Sequence, residues 1–155
     1  MRYVLFLCFL IFSGCSIKSY EHTQAKIIII KSPKLKFADI GYVRNSDEKI
    51  EVELFVAGRA TQKITINHLI CTTDGCMSKN SFNAEYLSPF YPGETLQNII
   101  LGRKIFGGKN FLETRNGFSQ YIKNTHVDIT YKVGFGVIYF KDKKNKIILK
   151  FKDTN

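Results

Sequence analysis

Apolar residues recur at every second position through much of this chain, and that constrains its fold more than any other feature. Ile50, Val52, Leu54 and Val56 alternate with Glu51, Glu53 and Phe55. This is the pattern of a strand with one face in the core and one in water. Ile64, Ile66, His68 and Ile70 alternate again. Val127, Ile129, Tyr131, Val133, Phe135 and Val137 make a longer run with Gly134 and Gly136 on the opposite parity. Ile27 to Ile30 is a continuous β-branched stretch, read as a strand buried on both faces and ended by Ser32-Pro33. Parity changes between Phe37 and Gly41, which predicts a bulge near Ala38-Asp39. Phe118 to Ile122 and Ile147 to Phe151 complete the strands, and Lys141 to Lys146 reads as the hairpin turn before the last.

Helical spacing is confined to the middle. Leu96, Ile99 and Ile100 stand at i, i+3 and i+4. Pro89, Pro92 and Gly93 restrict helix to two short stretches within 83–101. About seven short strands with frequent turns predict an all-β chain, specifically an immunoglobulin-like β-sandwich with that helical insertion. With no long helices, parallel α/β architectures are excluded.

The N-terminus carries a different signal. Arg2 is followed by an apolar run from Tyr3 to Phe12 and then by Ser13-Gly14-Cys15. The run is at most half of the roughly 20 residues that a spanning helix needs, so it reads as a secretory signal. Phe12-Ser13-Gly14-Cys15 resembles the lipobox of bacterial lipoproteins, with Phe12 where the family usually has Leu. The resemblance implies cleavage before Cys15 and acylation of its sulfur. Residues 1–14 are then the signal peptide, 15–26 a polar lipidated tether and 27–155 the folded domain. One acyl chain holds a protein only reversibly, whereas the two or three of the family make a lasting anchor. Ser16, rather than Asp, after the cysteine favours the outer membrane by the sorting rule of enteric bacteria. As a whole the chain is similar to small immunoglobulin-like lipoproteins of epsilonproteobacteria. The resemblance rests on the lipobox, the Lys/Asn/Ile/Phe-rich β domain, and the cysteine loop before the aromatic, Pro-Gly-broken segment of Cys71 to Gly102. It implies a surface-linked interaction domain and brings no catalytic residues.

Four cysteines are present. Cys8 leaves with the signal and Cys15 takes the lipid, so Cys71 and Cys76 remain in an oxidising compartment. Between them, Asp74-Gly75 marks a tight turn, which predicts a structural disulfide contributing about 2 kcal/mol. The four-residue spacing differs from the two of a thioredoxin-type site or zinc knuckle, and no second cysteine pair completes a tetrahedral site.

Formal charge is +10 for the whole chain, and +9 once Arg2 leaves with the signal. That balance favours anionic partners: lipid headgroups, polysaccharide or acidic protein. An exported, tethered chain has no expected nucleic-acid partner, and no cofactor is expected. Motifs of catalysis fail in turn. There is no Gly-x-Ser-x-Gly elbow and no His-Glu-x-x-His. Ser46 to Lys49 has the Ser-x-x-Lys spacing of penicillin-binding enzymes without their other motifs. Gly102 to Lys109 is one residue too long for a phosphate loop, and Asn110 replaces its Ser/Thr. Its glycines instead suit a loop of positive φ. Glu51 and Glu53 share a strand face that is solvated by default. His22, His68 and His126 have no metal-ligand spacing, and His68 reads as a core or edge histidine.

Two features suit binding. Phe82, Tyr86, Phe90 and Tyr91 form an aromatic cluster beside the cysteine loop, either a contact surface or a cap over one end of the sandwich. Lys146, Lys150 and Lys152 fall on one face of the last strand, either meeting an anionic surface or guarding an exposed edge. The expected function is that of a lipid-anchored, non-enzymatic envelope protein acting through protein or glycan contact, as in adhesion or partner docking. A periplasmic accessory subunit of an outer-membrane assembly or secretion machine is the alternative. A cell-wall enzyme is the weakest reading, because no catalytic constellation is present.

Overall fold

The computed structural model describes residues 22–154. The chain is all-β with a short helical insertion, as its period-two segments require. Six strands come first: β1 (His22–Lys31), β2 (Lys36–Asn45), β3 (Ile50–Val56), β4 (Arg59–Ile66), β5 (Leu69–Thr72) and β6 (Gly75–Ser78). Helices α1 (Lys79–Tyr86) and α2 (Thr95–Ile100) follow, then a 3-10 turn at Phe106–Gly108. Five strands close the chain: β7 (Phe111–Thr114), β8 (Gly117–Lys123), β9 (Asp128–Gly134), β10 (Val137–Asp142) and β11 (Ile147–Asp153).

All the strands join one antiparallel sheet of 11, ordered β6-β5-β4-β3-β2-β1-β11-β10-β9-β8-β7. Two meanders, β1–β6 and β7–β11, are stitched together where the first strand meets the last. That pairing runs from Lys26 opposite Asp153 to Lys31 opposite Ile148. An immunoglobulin sandwich buries two facing sheets against each other; here the hydrogen bonding runs through a single sheet. The insertion supplies the second layer instead, passing from edge strand β6 across one face towards edge strand β7.

The covered face is dense with apolar side chains. Ile28, Val52, Leu54, Ile66, Ile70, Ile129, Tyr131, Phe140, Leu149 and Phe151 are buried in one cluster with Phe82, Leu96, Ile99 and Ile100 of the helices. Burying an aliphatic or aromatic side chain contributes about 1.5–3 kcal/mol, so this face carries the fold. Several polar groups inside it are joined to backbone. The Gln120 amide bonds both N–H and carbonyl of Ile105 (2.9 and 3.0 Å) and the Lys109 carbonyl (2.8 Å), clamping the 3-10 turn onto β8. Tyr131 donates its hydroxyl to the Arg103 carbonyl at 2.9 Å. Asn83 donates to the Pro92 carbonyl at 2.8 Å, fixing the loop between the helices.

Several expectations are corrected. The tether does not reach residue 26: His22 to Lys26 already pair with Gly41 to Asn45 of β2. Ile27 to Ile30 is buried on one face only, since Ile27 is exposed and Ile29 half-buried. There is no bulge near Ala38-Asp39, because the β1–β2 register runs unbroken from His22/Asn45 to Lys31/Lys36. The register shift lies at Leu54/Phe55, where β3 meets β4. The run from Val127 to Val137 is two strands, turned at Phe135-Gly136, where both residues have positive φ (50° and 68°). The first helix begins at Lys79 rather than near 83, capped by Ser78, whose hydroxyl accepts from the Ser81 N–H. The loop from Gly102 does use glycines of positive φ, at Gly102, Gly107 and Gly108.

Candidate functional site

Side chains alternate between the faces of a strand, so the face opposite the helices is defined strand by strand. On β8 to β11 it holds Ser119, Tyr121, Lys132, Val137, Tyr139, Lys150 and Lys152. Tyr139 stands directly between Lys132 of β9 and Lys150 of β11 in cross-strand register. Lys152 follows on the next row opposite Val137. Tyr121, Lys132, Val137 and Tyr139 line an open groove of about 360 Å³. Nothing in the described chain covers this face. Lys132, Lys150 and Lys152 make no ion pair among the described residues.

The β2–β4 part of the same face is electrostatically closed. Glu51 is only 3% exposed, and it accepts from Arg44 (3.4 Å), Lys49 (2.9 Å) and Lys63 (2.9 Å). Glu53 pairs with Arg44. These carboxylates are thus held by cations rather than poised as an acid and base. Ile27, Ile40 and Tyr42 lie between the two regions, exposed. The outer face therefore passes from a neutralised ion network, through an apolar strip, to cations that form no ion pair among the described residues.

The expected site residues separate in the structure. Cys15 lies outside the described residues. Cys71 and Cys76 form a disulfide between directly opposed positions of the β5–β6 hairpin, with Cα atoms 3.9 Å apart. Phe82 (1% exposed) and Tyr91 (4% exposed) are core residues, so they cannot be contact residues on a surface. Phe82 stacks on Tyr86 at 4.7 Å between ring centroids, and the half-buried Tyr86 has Lys34 over its ring. Only Phe90 is exposed, at 48%, with one ring face stacked on His126. The cluster works as a cap: α1 and the following loop need aromatic volume to seal the covered face.

Tyr91 also anchors that cap chemically. Its hydroxyl donates to the buried Asp142 carboxylate at 2.8 Å. Asp142 further accepts from the Asn145 amide (2.7 Å) and from the N–H groups of Asp128 and Lys144 (3.1 and 3.0 Å). Burial first, then the bond and charge of Asp142, push Tyr91 far above the usual phenol range. Burial alone does the same to Tyr131. Both phenols therefore stay protonated and act as donors in a structural network.

The lysines are differently placed from expectation. Strand β11 is central, paired with β1 and β10, so its lysines guard no edge. Lys146 sits in the turn before it, with φ 57°, while Lys150 and Lys152 stand on the open face. His68 lies in the exposed turn between β4 and β5 rather than in the core or on a strand. Tyr121, Lys132 and Tyr139 were not singled out by sequence reading. Their signal was parity: each lies opposite in phase to the buried Ile122, Tyr131 and Phe140. No helix of the described residues is long and apolar enough to cross a membrane. Comparison with protein-family models gives no match, and comparisons with curated proteins and with solved structures give none either.

Proposed function

We propose that this chain is a lipid-anchored, non-enzymatic binding protein of the bacterial outer membrane. It holds an anionic partner, acidic glycan or acidic protein segment, against the open face of β8–β11. The observation that supports this most is the row Lys132–Tyr139–Lys150, with Tyr121 beside it, its two lysines forming no ion pair among the described residues. Tyrosines present flat apolar area and a hydroxyl at low entropic cost, and lysines attract and orient a negative ligand. The N-terminal lipobox supports the anchor, and the net basic charge supports an anionic partner. Adhesion and partner docking both use such a face.

The test is charge reversal. The double variant Lys132→Glu/Lys150→Glu is compared with wild type for binding to isolated envelope polysaccharide and to acidic envelope proteins. Each lysine near an anionic surface is worth about 1 kcal/mol, so reversing two should weaken binding roughly tenfold or more. Wild-type binding should also fall as salt rises. Unchanged, salt-independent binding by a folded double variant would place the partner elsewhere. Protease shaving of intact against permeabilised cells then decides the side: loss of the domain on intact cells means the cell surface, protection means the periplasm.

A further inference from the structure

Among the described residues Phe135 is the most exposed of the large apolar side chains, at 85%, on the tip of the β9–β10 hairpin. It also occupies left-handed backbone, with φ 50°. Such a position suits Gly, Asn or Asp, and a bulky residue there is disfavoured. An apolar side chain that is both strained and wetted reads as serving a contact outside the fold.

The surroundings say which contact. Phe135 shares one depression with Thr23 and Ala25, at the start of β1, with Lys152, and with Asp153, whose carboxylate is already paired with Lys26. The tip therefore lies at the end of the sheet where the chain enters from Cys15. His22 is seven residues from that cysteine, and seven extended residues reach no further than about 25 Å. On the other side the β7–β8 turn packs close: a Cβ on Gly134 would meet the Asn116 carbonyl at 2.6 Å. That turn carries Arg115, exposed like Lys152 and, like it, without an ion pair among the described residues. An aromatic tip flanked by two cations that form no ion pair among the described residues is the arrangement that enters a headgroup layer, ring towards the acyl chains and charges on the phosphates.

We propose that this end of the sheet docks onto the bilayer that holds the lipid, with Phe135 inserted and Arg115 and Lys152 on the headgroups. The proposal rests on Cys15 being acylated. It adds an orientation: the sheet stands on the membrane by its Phe135 end, and the Tyr139 face is presented sideways to partners.

The chain has no tryptophan, so F135W introduces a single reporter. The full lipidated protein carrying F135W is reconstituted in phosphatidylethanolamine/phosphatidylglycerol vesicles with brominated acyl chains. V56W, at the opposite end of the sheet, serves as the control, and both variants are checked for wild-type unfolding. Mass spectrometry reports the acyl chains on Cys15. The expected result is a blue-shifted F135W emission that bromolipid quenches, with V56W unshifted and unquenched. An acylated protein whose F135W is not quenched overturns the docking and leaves the anchor standing. A blue shift without bromolipid quenching also overturns it, in favour of a protein contact. Equal quenching of both variants overturns the upright orientation. An unmodified Cys15 overturns the anchor and this proposal with it.

Discussion

Tyr91 shows how much one side chain can decide here. Its ring meets Phe106 and Phe140 edge-on, while its hydroxyl is the buried partner of Asp142. Tyr91→Phe keeps the packing and removes one of the charged bonds to a buried carboxylate. A loss of about 1–3 kcal/mol in denaturant unfolding is expected, with the fold kept. Alkali should act on the same residue. An ordinary phenol ionises near 10.0, and burial, assisted at Tyr91 by Asp142, holds Tyr91 and Tyr131 above that value. A raised folded value means the stabilisation is complete below about pH 10. It is lost as pH climbs past the unfolded value, because unfolded phenols ionise there and folded ones do not. Unfolding midpoints should therefore drop above pH 10, and Tyr91→Phe should blunt the drop. A drop of equal size in Tyr91→Phe and wild type would contradict this. Residue identity was legible at some positions and misread at others for one reason. Aromatic rings serve cores and contacts alike, and only burial separates Phe82 and Tyr91 from Phe90.

Among the elements, the β5–β6 hairpin is short and lies at one edge. It has four-residue strands, and its disulfide lies on the open face with Cys71 opposite Cys76. Closing so short a loop contributes about 2 kcal/mol on the chain-entropy estimate. Cys71→Ser/Cys76→Ser should lower global stability by no more than that. Hydrogen exchange should speed up in β5, β6 and the first turn of α1, while β1 and β11 stay protected. Uniform acceleration through β1 and β11 would show instead that the hairpin holds the whole sheet. Strand existence was readable from period two, and the disulfide from its Asp-Gly turn. Strand ends were harder. The run from Val127 to Val137 reads as continuous because Phe135-Gly136 is a turn of only two residues. A two-residue turn barely interrupts alternation, and Phe is an unusual occupant of its first position.

For the molecule as a unit, the seam between the two meanders matters most. Strand β11 pairs with β1 and β10 and contributes Ile147, Leu149 and Phe151 to the core. A chain ending after Asp142 would leave β1 and β10 as open edges and strip three buried residues from the covered face. Each large-to-small loss of that kind costs about 2–5 kcal/mol, more together than a domain of this size has to spare. The truncated protein should therefore lose cooperative unfolding, read by near-ultraviolet dichroism and denaturant titration. A cooperative transition would mean that the β1–β6 half folds alone.

Local chemistry was enough to establish that this chain is built of strands, that a short helical segment interrupts it, that Cys71 and Cys76 can pair, and that its balance is basic. Those properties depend on neighbours one to five residues apart, and neighbours are what a sequence displays. Sheet order, the choice of covered face and the meeting of β1 with β11 depend on contacts between residues such as Lys26 and Asp153, 127 positions apart. Parity says that a strand has two faces; it does not say which partner covers one of them. Here the helical insertion covers one face. The other is left to Tyr121, Lys132, Tyr139 and Lys150, and that division was settled by long-range packing alone.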